Sequence, residues 1–389
     1  MSRSTHLERF MATTPRPLAD YFAELRDPRV QLKCVHNFMD IILIVVCATI
    51  GGADDFVSVA QFAQAKKEWF RDRLGLQLDS GIPSHDTLNR VFAIIHPTHF
   101  QKCFLGWVES MSDRLKLKQI PIDGKAMRGS KRKTSAGART VQIVSAWSSE
   151  NGVTLAQVRT DEKSNEITAI PELLALLDIS KALVSIDAAG CQKAIATQIV
   201  AGRGDYLLAV KENQPRLFED IKALVRVALE TDFAGLSRHQ TDERSHGREE
   251  LRFCVVLTNL EAIRDRDLWT GLRSVVCVVS RRKVKGKKDG REVRYYISSR
   301  RGSGKMFLGA SRKHWSIENE CHWVLDVAFR EDDHRLREGH APENMSVVRK
   351  MALATLKKAK VKIGIKNKRL KAGWDETFLE HVLCDFLGK

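Results

Sequence analysis

What most restricts the fold is the order of apolar runs between residues 117 and 230. Ile120-Pro121-Ile122-Asp123 is a short β-prone run ending in an acid. Two more β-prone runs, 141–147 and 153–158, flank the turn signal Glu150-Asn151-Gly152. Helical and strand patterns then alternate. Residues 165–177 have helical spacing, and 182–187 read as a buried strand that again ends in an acid, Asp187. A helix over 191–200, a strand over 206–210 and a helix over 217–229 follow. The order βββαβαβα is that of a ribonuclease H-like core, an α/β fold with a mixed sheet flanked by helices.

Other segments frame this core. Residues 1–115 read as a helical domain, with Ser84-His85-Asp86-Thr87 as the cap of an amphipathic helix. Residues 237–302 break the alternation with three strand-like runs, 251–257, 274–279 and 293–297, and a basic hairpin, 281–288. We expect a β-rich insertion there. Helical pattern returns over 305–327 and 344–358. The core therefore takes 116–236 and 303–360, and 361–389 is a basic tail carrying Lys366, Lys368, Arg369 and Lys371.

Composition narrows the partners. Apolar residues make up 43% and charged residues 29% of the 389, which argues against wholesale disorder. Lys and Arg number 64 against 48 Asp and Glu, a formal charge of +16 that suits a polyanion such as nucleic acid. The cysteines are scattered and form no Cys-x-x-Cys, which fits reduced cytoplasmic thiols rather than a zinc ribbon or a disulfide scaffold. Residues 1–20 lack the apolar stretch of a signal peptide. The apolar run 41–50 falls short of the roughly 20 residues a membrane span needs, so a buried helix and a cytoplasmic, soluble protein are expected.

Asp123 and Asp187 close two core strands that would be neighbours in this order. Carboxylates that close repel unless cations lie between them. Two magnesium or manganese ions, held by carboxylates and by substrate phosphates, would satisfy the pair. A third acid is needed, and Glu318 in His314-Trp315-Ser316-Ile317-Glu318-Asn319 is the candidate. On a continuous helix His314 and His322 lie one turn either side of it. That stripe leaves three roles open: phosphate contact, structural packing, or a transition-metal site. Asp326, Glu331, Asp332 and Asp333 are competing acids, the last three expected to be solvated. Trp315 and Trp323 have apolar neighbours and are expected in the core.

These residues, taken together, resemble the bacterial DDE insertion-sequence transposases, in particular the ISAs group of H-repeat-associated proteins. The matching segments are Ile122-Asp123-Gly124-Lys125, Lys163-Ser164-Asn165-Glu166-Ile167, Asp187-Ala188-Ala189-Gly190-Cys191-Gln192 and the run from Asp205 to Gln214. His246-Gly247-Arg248, the Glu318 segment and His322-Trp323-Val324-Leu325-Asp326-Val327 complete the set. The resemblance implies a metal-binding triad at Asp123, Asp187 and Glu318, DNA cleavage at the element's ends and strand transfer into target DNA. It also implies terminal inverted repeats and target DNA as partners, and a homodimer on paired ends. Where relatives carry Tyr-x2-Arg-x3-Glu-x6-Lys around the last acid, this chain has Ser311, His314 and Leu325, with Arg312 and Lys313 nearby.

Basic and polar groups that would follow DNA are Lys125 and Arg128 after the first acid, Lys211 and Asn213 after the strand at 206–210, Arg248, Arg282 and Lys283 of the insertion, and Arg312. His314 and His322 join them through phosphate hydrogen bonds. The tail lysines stay open between DNA contact and a solvated face. Two alternatives to a transposase remain on sequence grounds: a ribonuclease H-like nuclease without strand transfer, and a catalytically silent, domesticated DNA-binding relative.

Overall fold

The computed structural model describes residues 18–110, 117–134, 137–160, 166–245, 247–284 and 289–387. The expected features at Lys163-Ser164-Asn165, at His246 and at the hairpin tip, 285–288, lie outside the described residues. The chain divides into two compact units. One comprises 1–115, 126–141 and 323–389; the other comprises 116–125 and 142–322.

The first unit is largely helical. It contains α1 (Leu18–Phe22), α2 (Phe38–Ile50), α3 (Phe56–Ala65), α4 (Lys67–Leu74), α5 (His85–Ile94) and α6 (Pro97–Ser110). Asn37 caps α2, its side chain accepting from Met39 N at 2.8 Å and Asp40 N at 3.2 Å. Nearly all of α2 is buried, as its continuous apolar run predicts. No helix among the described residues is long and apolar enough to cross a membrane. Ser84 caps α5 by accepting from Thr87 N at 3.2 Å, and Leu88, Val91 and Phe92 fill the buried face. From the chain's other end come α11 (Trp323–Phe329), α12 (Ala341–Lys358), α13 (Ile365–Trp374) and α14 (Glu376–Leu387).

The basic tail is thus two helices, and two of its cations serve the core while Lys362 and Lys366 stay exposed. Lys368 is buried and donates to Leu356 O and Ala359 O at 2.9 and 2.6 Å. Arg369 is also buried. Its guanidinium donates to Thr49 O at 3.0 Å and Ala53 O at 2.9 Å, past the end of α2, and to Asp54 Oδ1 at 2.8 Å. These carbonyls would otherwise be stranded at a helix end.

The second unit is built on a nine-stranded sheet of order β3-β2-β1-β4-β5-β9-β8-β7-β6. The strands are β1 (Gln119–Thr134), β2 (Gly137–Ser148), β3 (Val153–Arg159), β4 (Leu183–Ile186), β5 (Asp205–Val210), β6 (Ser237–Ser245), β7 (Arg248–Leu257), β8 (Ser274–Val284) and β9 (Gly290–Ser298). The residues of β1 and β2 from 126 to 141 belong to the first unit. β1, β4 and β5 are parallel, and β2 and β3 form an antiparallel hairpin turning at Gly152, whose φ is +65°. This is the ribonuclease H-like arrangement.

The insertion does not stand apart. β9 pairs antiparallel with β5, so β6 to β9 prolong the same sheet. It holds four strands rather than three. β6 escapes the apolar pattern because Ser-Arg-His-Gln-Thr-Asp-Glu-Arg-Ser has no apolar face, and the strand is an exposed edge. Among the described residues of this unit the α-helices are α7 (Glu166–Ala175), α8 (Lys193–Ala201), α9 (Pro215–Glu230) and α10 (Gly304–His314). Phe307, Leu308 and Ala310 of α10 are buried in one cluster with Leu183, Leu207, Cys254, Val256, Val276 and Tyr296. That apolar contact seats α10 across the strands and so fixes where the chain goes next, toward Glu318.

Candidate active site

Ile122 of β1 pairs with Ile186 of β4 in the last step of a parallel ladder. Asp123 and Asp187 are the next residue on each strand. Two buried isoleucines therefore deliver two acids side by side. Asp123 is not at a strand end, since β1 runs on to Thr134; the pairing with β4 is what ends there. Asp187 Oδ1 accepts from Ala189 N at 3.1 Å and Gly190 N at 3.4 Å, which folds the carboxylate over its own loop. Asn213 Nδ2 donates to Ala188 O at 2.6 Å and Gln214 Nε2 to Cys191 O at 2.8 Å. Asn213, expected on DNA, is exposed and ties that loop through its bond to Ala188.

The third acid comes from a break in the helix. α10 ends at His314, and a π-helical turn spans Glu318–His322 before α11. The even stripe His314, Glu318, His322 is therefore not formed, and the two histidines take different partners. His314 Nδ1 lies 3.1 Å from Ser185 Oγ, which itself receives Gln119 Nε2 at 3.0 Å. Burial holds the His314 imidazole below its usual pKa despite the nearby Asp123 and Asp187 charges. His322 is 8% exposed, and its Nδ1 faces Asp123 Oδ2 at 3.3 Å. Burial raises the Glu318 carboxyl above its ordinary value, and the charges of Asp123 and Asp187 add to the shift while His322 opposes it. Glu318 therefore stands in the field of both aspartates.

A fourth carboxylate is present, one to which residue pattern alone assigns no role. Glu166 opens α7, and its carboxyl is raised by burial, then by Asp187, then by Asp123. Three of the four acids expected to compete with Glu318, namely Glu331, Asp332 and Asp333, are occupied elsewhere. Glu331 is buried rather than solvated, 3.6 Å from the equally buried Arg349. Asp332 pairs with Arg128 at 3.5 Å and Asp333 with Arg330 at 3.1 Å.

The donor set fits hard divalent cations in kind. It is all carboxylate oxygen, and burial together with the charges of Asp123 and Asp187 raises the carboxyls of Glu166 and Glu318, a shift that a bound cation would oppose. Among the described residues, no three His, Cys, Asp or Glu side chains are gathered closely enough to hold an ion. Asp123, Asp187 and Glu318 are the residues expected on sequence grounds to hold one.

The basic residues separate into groups. Lys125, next but one to Asp123, is half-buried, and Lys211 is exposed just past β5. Arg248 begins β7, and Arg282 and Lys283 lie exposed on β8. Arg252, Arg281, Arg282, Arg291, Arg294 and Arg312 line a cavity of about 610 Å³ with Trp315 and Asn319. Several are braced by acids. Arg312 donates to both oxygens of Glu243 at 2.5 and 3.0 Å, and Arg252 donates to the same carboxylate at 3.2 Å. Neither tryptophan sits in the core as expected. Trp315 is half-buried beneath the Arg294 guanidinium, 4.4 Å from its ring centre, and Trp323 is 61% exposed.

The family described as Transposase DDE domain matches residues 114–354, and the one described as DDE_Tnp_1-associated matches 19–108. "Putative transposase YncI" of Escherichia coli O157:H7 is 43% identical over 381 residues, covering 95% of this chain and 96% of its own length. "H repeat-associated putative transposase YhhI" of Escherichia coli (strain K12) is 37% identical over 374 residues, covering 95% and 98%. A solved structure of the piggyBac transposase synaptic complex with hairpin DNA overlaps at a TM-score of 0.41 and 10% identity, covering 94% of this chain and 78% of that one. On the family match and the two full-length relatives, the chain is a member of the DDE transposase family.

Proposed function

We propose that this transposase cuts DNA at the ends of its own element and joins the freed 3′ ends to target DNA, with Asp123, Asp187 and Glu318 as the catalytic acids. The observation that carries the reading is the register of β1 and β4, which sets the two aspartates side by side with Glu318 in their field. When bound by these acids, two magnesium or manganese ions would supply an activated attacking oxygen and a stabilised leaving oxygen. The chain's own part is positioning. His322 steadies the Asp123 carboxylate, while the Asn213 hydrogen bond and the turn at Ala189 and Gly190 fix the Asp187 loop.

DNA is held through its phosphates. The arginine-lined cavity on β7, β8, β9 and α10 continues the sheet that carries the acids, so a duplex seated there passes their edge. Guanidinium pairs suit phosphate oxygens, and Trp315 offers a ring beside them. Cleavage at two ends calls for a second copy of the chain on the paired DNA.

The test is cleavage of a labelled duplex bearing the element's end, with magnesium, with manganese and with chelator. Metal-dependent nicking at the end, abolished in Asp187→Asn, and joined products with a target duplex are expected. Nicking without any joined product would favour a plain nuclease. Full activity in Asp187→Asn would overturn the assignment of the acids.

A further inference from the structure

Glu166 is the first residue of α7, and two glycines shape the surface beneath that helix. Gly124 directly follows Asp123. A β-carbon built there would stand 2.0 Å from Glu166 Oε1 and 2.5 Å from its Cδ. Gly190 follows Asp187 by three residues. A β-carbon there would meet Ile186 Cγ2 at 2.3 Å and Ile170 Cδ1 at 2.9 Å. Glu166 and Ile170 are four residues apart on one face of α7. Each thus rests against a glycine that trails a catalytic aspartate. The helix is pressed onto β1 just past Asp123 and onto the loop after Asp187, and the carboxylate of its first residue is brought against Gly124, the neighbour of Asp123 in the chain.

We propose that Glu166 is a fourth carboxylate ligand of the catalytic site, seated beside Asp123 by the missing side chain of Gly124. The inference rests on the metal-dependent reading of the acids given above. It extends the three-acid set to four and gives the Glu166 position a chemical task.

Two observations support it beside the contact with Gly124. Burial and then the charges of Asp187 and Asp123 act on the Glu166 carboxyl, which places it near both aspartates rather than at an isolated helix end. His322, which faces Asp123 through Nδ1, is buried and leaves Nε2 without a hydrogen-bond partner among the described residues. The side chains around Asp123 therefore do not satisfy one another, as a set arranged for a ligand would not. The plainer alternative is that Glu166 serves only the α7 N-terminus.

The test exploits Gly124. The nearest atoms to a new β-carbon belong to the far end of the Glu166 side chain, which can rotate away without moving the backbone. Gly124→Ala should therefore fold and displace Glu166 from the site. Binding of Mn2+ to the full chain, followed by electron paramagnetic resonance, is compared for wild type, Gly124→Ala, Glu166→Gln, the double variant and Asp187→Asn. Thermal unfolding checks that each is folded.

We expect Gly124→Ala and Glu166→Gln each to weaken Mn2+ binding about tenfold or more. The double variant should be no weaker than the worse single one, because both act on one carboxylate. Wild-type Mn2+ affinity in both single variants, with affinity abolished in Asp187→Asn, would overturn the fourth ligand and leave the three-acid reading standing. Additive losses in the double variant would also overturn the proposed link between Gly124 and Glu166. No Mn2+ binding to the wild type would overturn the metal-dependent reading itself, and this inference with it.

Discussion

Ile122 on β1 and Ile186 on β4 are register partners, and each immediately precedes an aspartate of the proposed triad. The two acids are one functional element delivered by one rung of a sheet. Their effects should therefore not add. Asp123→Asn and Asp187→Asn are each expected to lower end cleavage by at least about a thousandfold, and the double variant by little more. A gel assay on the element end reads this directly. Losses that multiply in the double variant would mean that the acids act in separate steps.

Asn213 distinguishes a DNA-binding role from a positioning one. If its side chain held a phosphate, removing it would weaken DNA binding. If it tethers the loop, removing it misplaces Asp187 instead. With Nδ2 given to Ala188 O at 2.6 Å, Asn213→Ala is expected to slow cleavage about ten- to a hundredfold at saturating DNA and leave affinity near wild type. Anisotropy titrations alongside single-turnover cleavage separate the two, and reduced affinity with normal turnover would contradict the tether.

Glu243 neutralises part of the arginine-lined cavity through Arg312 and Arg252, and the Arg312 hydrogen bond holds its carboxyl below the usual range. Removing that charge frees Arg312 for phosphate, while Arg252 stays paired with Glu250. Glu243→Gln should bind duplex DNA more tightly at low salt and steepen the salt dependence by about one unit of slope. Arg312→Ala should flatten it by about one. Unchanged slopes in both would remove this surface from the DNA path.

His334 gives the helical unit a defined response to acid. It is 8% exposed, and burial together with the Arg349 charge pushes its pKa down to about 3, although Asp55 and Glu331 oppose the shift. In the unfolded chain the imidazole titrates near 6.5. The unfolded state therefore takes up a proton that the folded state refuses. This contribution is full above about pH 6.5 and declines as pH falls toward 3, amounting to a loss of about 2 kcal/mol at pH 5. Denaturant midpoints at pH 7 and pH 5 should differ less in His334→Gln than in wild type. An equal difference in both would place the acid sensitivity elsewhere.

The parts legible in the sequence are those written in apolar periodicity. β4 and β5, the α2 run and the Ser84 cap all appear where side-chain pattern and capping chemistry place them, within a residue or two. The parts that escape are written in polar residues. β6 has no apolar face, and the continuation of β1 through Lys125, Arg128, Lys131 and Arg132 resembles a solvated loop. Charge is the least readable signal. Arg369 and Lys368 read as tail cations, yet they are buried and satisfy main-chain carbonyls. Glu166 lies inside a family-like segment without standing out, because its proximity to Asp123 depends on a glycine 42 positions earlier in the chain. The π-helical turn at 318–322 is hidden as well, since an inserted residue leaves no mark on side-chain type.

The antiparallel pairing of β9 with β5 has a consequence for the partner rather than the protein. A cavity wall that shares main-chain hydrogen bonds with the catalytic strands has no hinge of its own. On the DNA path proposed above, the spacing from the arginines to the acids is set by one continuous sheet, and a straight duplex that did not match it would have to bend. Element ends rich in easily kinked pyrimidine–purine steps would then be favoured at positions that no side chain reads.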